Sequence, residues 1–272
     1  MRRVRVGLIV VILAAAAALS GCSSIPASPT DRIRGALVAT RLAGVAQVDL
    51  ASRTSVLGQN VDVTGHGAFD LSDQSADLTL HIPMLGGEVR TLIANGTVYA
   101  QLPSAFAAFV PNARSWVSVN VDRLTEQQFG TSLAQLGIGP SGDPLAQIGY
   151  LEAIKDAREV GPEQIGGTAT THYTATIDLT ATPAAKDPAT KPAVDRLIAQ
   201  TGTQTLPVEV WIDGNGRFRQ VVQNIKAAPR QGDVPSADQT TTVTFTSFGG
   251  PKPAPPPAPD QVTDLSSLLP AG

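Results

Sequence analysis

Val208-Glu209-Val210-Trp211-Ile212-Asp213-Gly214-Asn215-Gly216-Arg217-Phe218-Arg219-Gln220-Val221-Val222 reads as two strands folded back on each other. Branched and aromatic residues alternate with polar ones on both sides of an Asp-Gly-Asn-Gly turn, whose glycines and asparagine reach positive φ at little cost. The same pattern recurs outward in both directions. Period-two segments rich in Val, Thr and Ile predict eleven strands, near 45–57, 61–70, 74–82, 88–94, 97–102, 115–121, 157–165, 168–179, 205–213, 217–227 and 238–248. A second tight hairpin is marked by Asn95-Gly96, between Val89-Arg90-Thr91-Leu92-Ile93 and Val98-Tyr99-Ala100. Connections this short make successive strands antiparallel.

Helical spacing is confined to four stretches. Over 31–43, Ile33, Leu37, Val38 and Leu42 are expected on one face; a second helix is expected over 122–135, from Asp122 through Leu124, Gln128 and Leu133. The third, over 143–156, opens with Asp143-Pro144 and places Leu145, Ile148, Leu151 and Ile154 in one stripe. The fourth, over 190–201, stops at Gly202. Strands in runs with helices between them, and no βαβ alternation, give an α+β class: a single antiparallel sheet of about eleven strands with helices on one face.

Of the 272 residues, 42% are hydrophobic and 16% charged, which excludes a disordered acidic chain and a coiled coil. The formal charge is −3, and loss of Arg2, Arg3 and Arg5 would make it more negative. That argues against nucleic acid as a partner, which needs a basic footprint. The single cysteine allows no intrachain disulfide, so the fold must rest on its apolar core.

The amino terminus has the layout of an export signal. A basic stretch, Met1-Arg2-Arg3-Val4-Arg5, precedes an apolar run from Val6 to Leu19 of about 14 residues, short of the ~20 that span a bilayer. Leu19-Ser20-Gly21-Cys22 resembles the bacterial lipobox, in which the cysteine thiol takes a diacylglyceryl group. The expected organisation is a signal peptide over 1–21, a lipidated tether over 22–30 beginning at Cys22, a body over 31–250, and a Pro-rich segment with a short apolar tail over 251–272. The expected location is the extracytoplasmic side of the cell membrane. Pro251 to Pro259 holds six prolines in nine residues, an extended spacer of roughly 28 Å. Beyond it, Val262, Leu265, Leu268 and Leu269 either dock on the body or are offered to a partner.

Catalytic signals are sparse. His66, His81 and His172 lie in separate expected strands without metal-ligand spacing and read as solvated positions; no metal and no cofactor is expected. No G-x-S-x-G elbow occurs. Gly137-Ile138-Gly139-Pro140-Ser141-Gly142 matches G-x-G-x-x-G but joins two expected helices and carries a proline, so it reads as a connector. Asp213-Gly214-Asn215-Gly216-Arg217 begins like a calcium loop but places Arg217 where an oxygen ligand is required. Asn95-Gly96-Thr97 is a formal glycosylation sequon in a hairpin turn of an exported bacterial chain. The chain is therefore read as a non-enzyme. Pro103-Ser104-Ala105-Phe106-Ala107-Ala108-Phe109-Val110-Pro111 is apolar yet irregular. With the two apolar helical stripes it could cover one face of the sheet, either filling that space as an ordinary core or leaving it open as a cavity.

Gly167-Thr168-Ala169-Thr170-Thr171-His172-Tyr173 and Pro207-Val208-Glu209-Val210-Trp211-Ile212-Asp213 carry a family resemblance. Together with the lipobox, the amino-terminal helix and the placement of the inserted helices, they resemble the actinobacterial LppX/LprA/LprF/LprG lipoproteins and, through them, the LolA-like fold, over about residues 30–250. The resemblance implies a curved half-barrel whose concave face is covered by helices around a hydrophobic cavity for acyl chains of lipid or glycolipid; a monomer is expected. On that basis Phe106, Phe109, Leu133, Leu136, Ile148, Leu151, Ile154, Val194, Leu197 and Ile198 are the candidate ligand-binding residues. Lipid transfer across the envelope is the implied role. The alternative is a non-transporting lipoprotein of the same fold that engages an envelope protein partner; an envelope hydrolase using His172 is a third, weaker reading.

Overall fold

A computed structural model describes residues 27–56, 59–101, 103, 114–121, 123, 150–188, 190–226 and 237–266. Cys22 and the export segment, Phe106, Phe109, the expected helix from Leu124 onward with Leu133, Leu136, the 137–142 connector, and Ile148 lie outside them.

Helix α1 (Pro29–Leu42) starts where its capping chemistry dictates: Ser28 accepts the Asp31 backbone N–H on its hydroxyl at 3.2 Å, and Pro29 follows at the first helical position. It buries Ile33, Ala36, Leu37 and Thr40. Val38 and Leu42, expected on the same face, are instead 56% and 81% exposed. At 100° per residue they stand roughly half a turn away from Ile33, and the short residues Ala36 and Thr40 complete the buried stripe in their place.

The eleven expected strands are present, with a twelfth: β1 (Val45–Val56), β2 (Gln59–Asp70), β3 (Ser75–Ile82), β4 (Gly87–Ala94), β5 (Thr97–Ala100), β6 (Trp116–Asn120), β7 (Ile154–Ile165), β8 (Thr168–Asp178), β9 (Thr205–Asp213), β10 (Phe218–Lys226), β11 (Ala237–Phe248) and β12 (Val262–Asp264). They form one sheet in the order β12-β6-β5-β4-β3-β2-β1-β11-β10-β9-β8-β7. The chain lays strands outward from β1 to β6, restarts at the far edge with β7 and works back until β11 meets β1. Every neighbouring pair is antiparallel except β12 with β6. The β4–β5 turn places Asn95 and Gly96 at φ 50° and 69°, as the hairpin reading requires.

The third expected helix ends differently. Residues 150–153 make one 3₁₀ turn, and Ile154 already opens β7 opposite Ile177. Pairing along β8 overrides the three-residue apolar spacing. Two bulges, at Lys155/Arg158 and Glu159/Gly161, bend this edge strand. Short helices α2 (Pro183–Lys186) and α3 (Lys191–Thr201) follow β8, and α3 stops at Gly202, φ 69°.

One main core joins α1 to the inner face of the sheet. Ile33 and Leu37 meet a cluster containing Val48, Phe69, Leu78, Ile177, Val210, Phe218, Val243 and Phe245. The curve of the sheet around α1 is fixed by hydrogen bonds at distant strands: Arg34 Nη2 donates to the Ile154 carbonyl of β7 at 3.4 Å, and the Phe218 N–H of β10 donates to Thr40 Oγ1 at 2.9 Å.

The Pro-rich segment is a strap. It leaves β11 and delivers β12 to the opposite edge, seven strand positions away in the sheet order. At about 4.8 Å per strand that is roughly 34 Å, and residues 249–261 in extended polyproline form reach about 40 Å. Lys252 pairs with buried Asp70 at 2.9 Å on the way. Arg114 holds the far end, donating through Nη1 to the carbonyls of Pro259 and Val262. Asn120 N–H donates to Ser266 Oγ at 2.9 Å. β12 thereby covers the edge that β6 would otherwise present.

Candidate functional site

Burial on the inner face is uneven. Under α1 the side chains are fully packed: Phe69, Phe218 and Val243 are 0% exposed and Phe245 1%. Beside this plug, Leu50, Leu80, Val98 and Ile225 pack against the core yet stay half-buried. Strand register explains their alignment. Val221, Val243, Leu50, Gly65, Leu80 and Val89 stand opposite one another in a row across six strands, from β10 to β4. Gly65 is the low point of the row, because a Cβ there would overlap Leu80 Cδ2.

The next inner row is polar at one end. Gln223, Thr241 and Ser52 follow one another across β10, β11 and β1. Gln223 is 3% and Thr241 5% exposed. Ser52 Oγ lies 3.4 Å from Thr241 Oγ1 and accepts from Gln239 Nε2 at 3.2 Å. An apolar floor thus gives way to a strip of hydroxyls and amides within one strand step.

The candidate residues read from sequence fall in three places. Leu151 (0% exposed) and Ile154 (3%) are inside the main core with Ile177 and Leu179. Val194 belongs to a second cluster with Val121, Ala184 and Ala193. Ile198, like Val98, touches both clusters and so bridges them. Leu197 stands on the same helix, α3, as Val194 and Ile198. Phe106, Phe109, Leu133, Leu136 and Ile148 lie outside the described residues. The floor residues Leu50, Leu80, Val98 and Ile225 were not singled out from sequence; the signal was their period-two placement in expected strands, which marks a face but not how far it is covered.

His172, read as solvated, is instead held: its side chain is 13% exposed, Nε2 lies 3.0 Å from Glu209 Oε2, and its ring stacks on Trp211. Stacking on its cross-strand partner removes it from water. His66 and His81 are exposed beside Asp49 and Glu88 in a shallow depression of about 480 Å³. Among the described residues no three His, Cys, Asp or Glu side chains converge as a metal site. No described helix is long and apolar enough to cross a membrane. A second cleft, of about 540 Å³, opens between α1 and the β9–β10 hairpin, lined by Arg32, Ala36, Ala39, Tyr173, Ile212 and Gly216. Burial, reinforced by the charge of Glu159, pushes the Tyr173 hydroxyl above its usual range, so it stays protonated. The Asp213 turn is structural: its carboxylate accepts from the N–H groups of Asn215 and Arg217 and from Arg219 Nε. These bonds outweigh the upward push of burial and keep the acid ionised.

No known family model matches the chain. An uncharacterized 31.2 kDa protein encoded in the rplA–rplJ intergenic region of Streptomyces griseus is 26% identical over 199 residues, 68% of this chain. The chain spans 59% of the length of that relative. Among solved structures, MucB of Pseudomonas aeruginosa in complex with MucA is similar at TM-score 0.33 and 15% identity, over 86% of this chain and 60% of that one. LprF of Mycobacterium bovis gives 0.40 and 16% identity, over 85% and 97%. The chain is likewise similar to the Mycobacterium tuberculosis lipoprotein LppX, with TM-score 0.46 and 17% identity over 82% of this chain and 96% of that one.

Proposed function

We propose that this chain is an envelope lipoprotein, acylated at Cys22, that holds the hydrocarbon chains of a lipid or glycolipid against the inner face of its sheet and passes them on across the envelope without covalent chemistry. The observation that supports this reading is the apolar row from Val221 to Val89. Its half-buried members Leu50 and Leu80 extend beyond the plug made by α1. Hydrocarbon placed there gains about 25 cal/mol per Å² removed from water and needs no directional partner. The Gln223–Thr241–Ser52 strip at the border suits the ester or sugar oxygens where a chain meets its head group. Tethering at Cys22 keeps the protein at the surface where such ligands reside, since two acyl chains give a lasting anchor.

Mass spectrometry of organic extracts from protein purified from its native host tests this. A lipid recovered near one per protein is expected. Recovery of none would leave a surface-acting lipoprotein that engages a protein partner.

A further inference from the structure

Val38 and Leu42 lie one turn apart on the outward side of α1 and are the two most apolar positions of that side. Among the described residues only Val160 joins them as an exposed large hydrophobic. Helical spacing sets Arg41 along one flank of this pair and Arg32 along the other; Asp31, whose carboxylate accepts from the Ser28 hydroxyl, stands in line with the pair at the start of the helix. Beyond that first turn the strip is Gly35, Val38, Ala39 and Leu42 with an arginine on either side, the pattern of a helix lying in a membrane interface, where the long cationic side chains reach up to head groups. Chain length agrees with this placement. Six residue steps separate Cys22 from the α1 cap Ser28, so a fully extended tether reaches at most about 20 Å. A cysteine acylated in the bilayer therefore keeps the start of α1 within a short distance of the head groups.

We infer that the outward side of α1 is a second membrane contact, in which Leu42 and Val38 enter the interface of an anionic bilayer and Arg32 and Arg41 meet its phosphates. The tether argument rests on the proposed acylation of Cys22; the charge and exposure of the helix do not. The contact orients the body: with α1 against the membrane, the β9–β10 hairpin and the 540 Å³ cleft beside α1 face the same surface.

The test uses the chain from residue 22 with Cys22→Ser, which retains every described residue, in co-sedimentation with phosphatidylglycerol and with phosphatidylcholine vesicles. Binding to phosphatidylglycerol that weakens as salt is raised is expected, with at least tenfold loss in the Val38→Asp/Leu42→Asp double variant. An Arg32→Gln/Arg41→Gln variant should lose the preference for the anionic vesicles. Equal sedimentation of parent and double variant, or no binding by the parent, overturns the contact. Lipid extracted from the same preparations separates the two ideas. A double variant that keeps its extracted lipid but leaves the vesicles supports the contact. Absence of extracted lipid from the parent sinks the chain-holding reading and leaves the vesicle result standing.

Discussion

The imidazole of His172 lies flat on the indole of Trp211, with ring centroids 4.1 Å apart and planes 6° from parallel. The pair are direct cross-strand neighbours on β8 and β9. Glu163 on edge strand β7 reaches over both: Trp211 Nε1 donates to its Oε2 at 2.7 Å, and His172 Nδ1 lies 3.5 Å from the same oxygen. The network ties the edge strand to its two inner neighbours.

Glu163→Ala should therefore cost about 0.5–1.5 kcal/mol by urea unfolding, the range for one lost hydrogen bond. Faster hydrogen exchange should be confined to β7. Uniform acceleration through the sheet would show that the tie is not local. Trp211→Ala, which empties a 7% exposed site, should cost about 3–5 kcal/mol.

Acid should loosen the strap. The Ser72 hydroxyl, with Lys252 beside it, holds the Asp70 carboxyl down to about 2, below its usual value near 4. Because the folded value is the lower one, the stabilisation is complete above pH ~4 and is lost as pH falls toward 2. The Asp70→Asn variant should be less stable than the parent by up to about 2 kcal/mol at pH 7, a gap that closes between pH 4 and 2. A gap independent of pH would contradict the role given to the ionised carboxylate.

Removing the strap by ending the chain at Gly250 deletes β12 and uncovers β6. Size-exclusion chromatography should show concentration-dependent association through the opened edge, and the unfolding midpoint should fall. A monomer of unchanged stability would mean that the strap is ornamental.

Gly67→Ala tests the close approach of β2 and β3. A Cβ at Gly67 would overlap the Asp77 carbonyl oxygen, a backbone atom that cannot turn aside. The expected cost is about 1–3 kcal/mol in chemical denaturation. Gly86→Ala, where nothing lies near the added carbon, separates this clash from the cost of a positive φ alone.

The strands were legible because period-two alternation and turn residues are local signals. Asn95-Gly96 and Asp213-Gly214-Asn215-Gly216 mark their hairpins without tertiary help. What was not legible depends on distant partners. Val38 and Leu42 look like core residues until the sheet is seen to accept only the Ile33–Ala36–Leu37–Thr40 stripe. Ile154 follows helical spacing but pairs with Ile177 on β8. His172 is an ordinary strand polar residue until Trp211 and Glu163 arrive from β9 and β7. β12 has only three residues and acquires its form from β6. Leu151 and Ile154 share chemistry with Leu50 and Leu80, and only burial distinguishes packed core from half-covered floor.

The proposed function requires hydrocarbon to lie along the inner row of the sheet. A fatty acid carrying a diazirine at its chain end, photolysed with the purified protein and mapped by peptide mass spectrometry, tests it most directly. Labels are expected on the segments bearing Leu50, Leu80 and Ile225, suppressed by excess unlabelled lipid. Labels confined to Val38 and Leu42, or none above background, would contradict it.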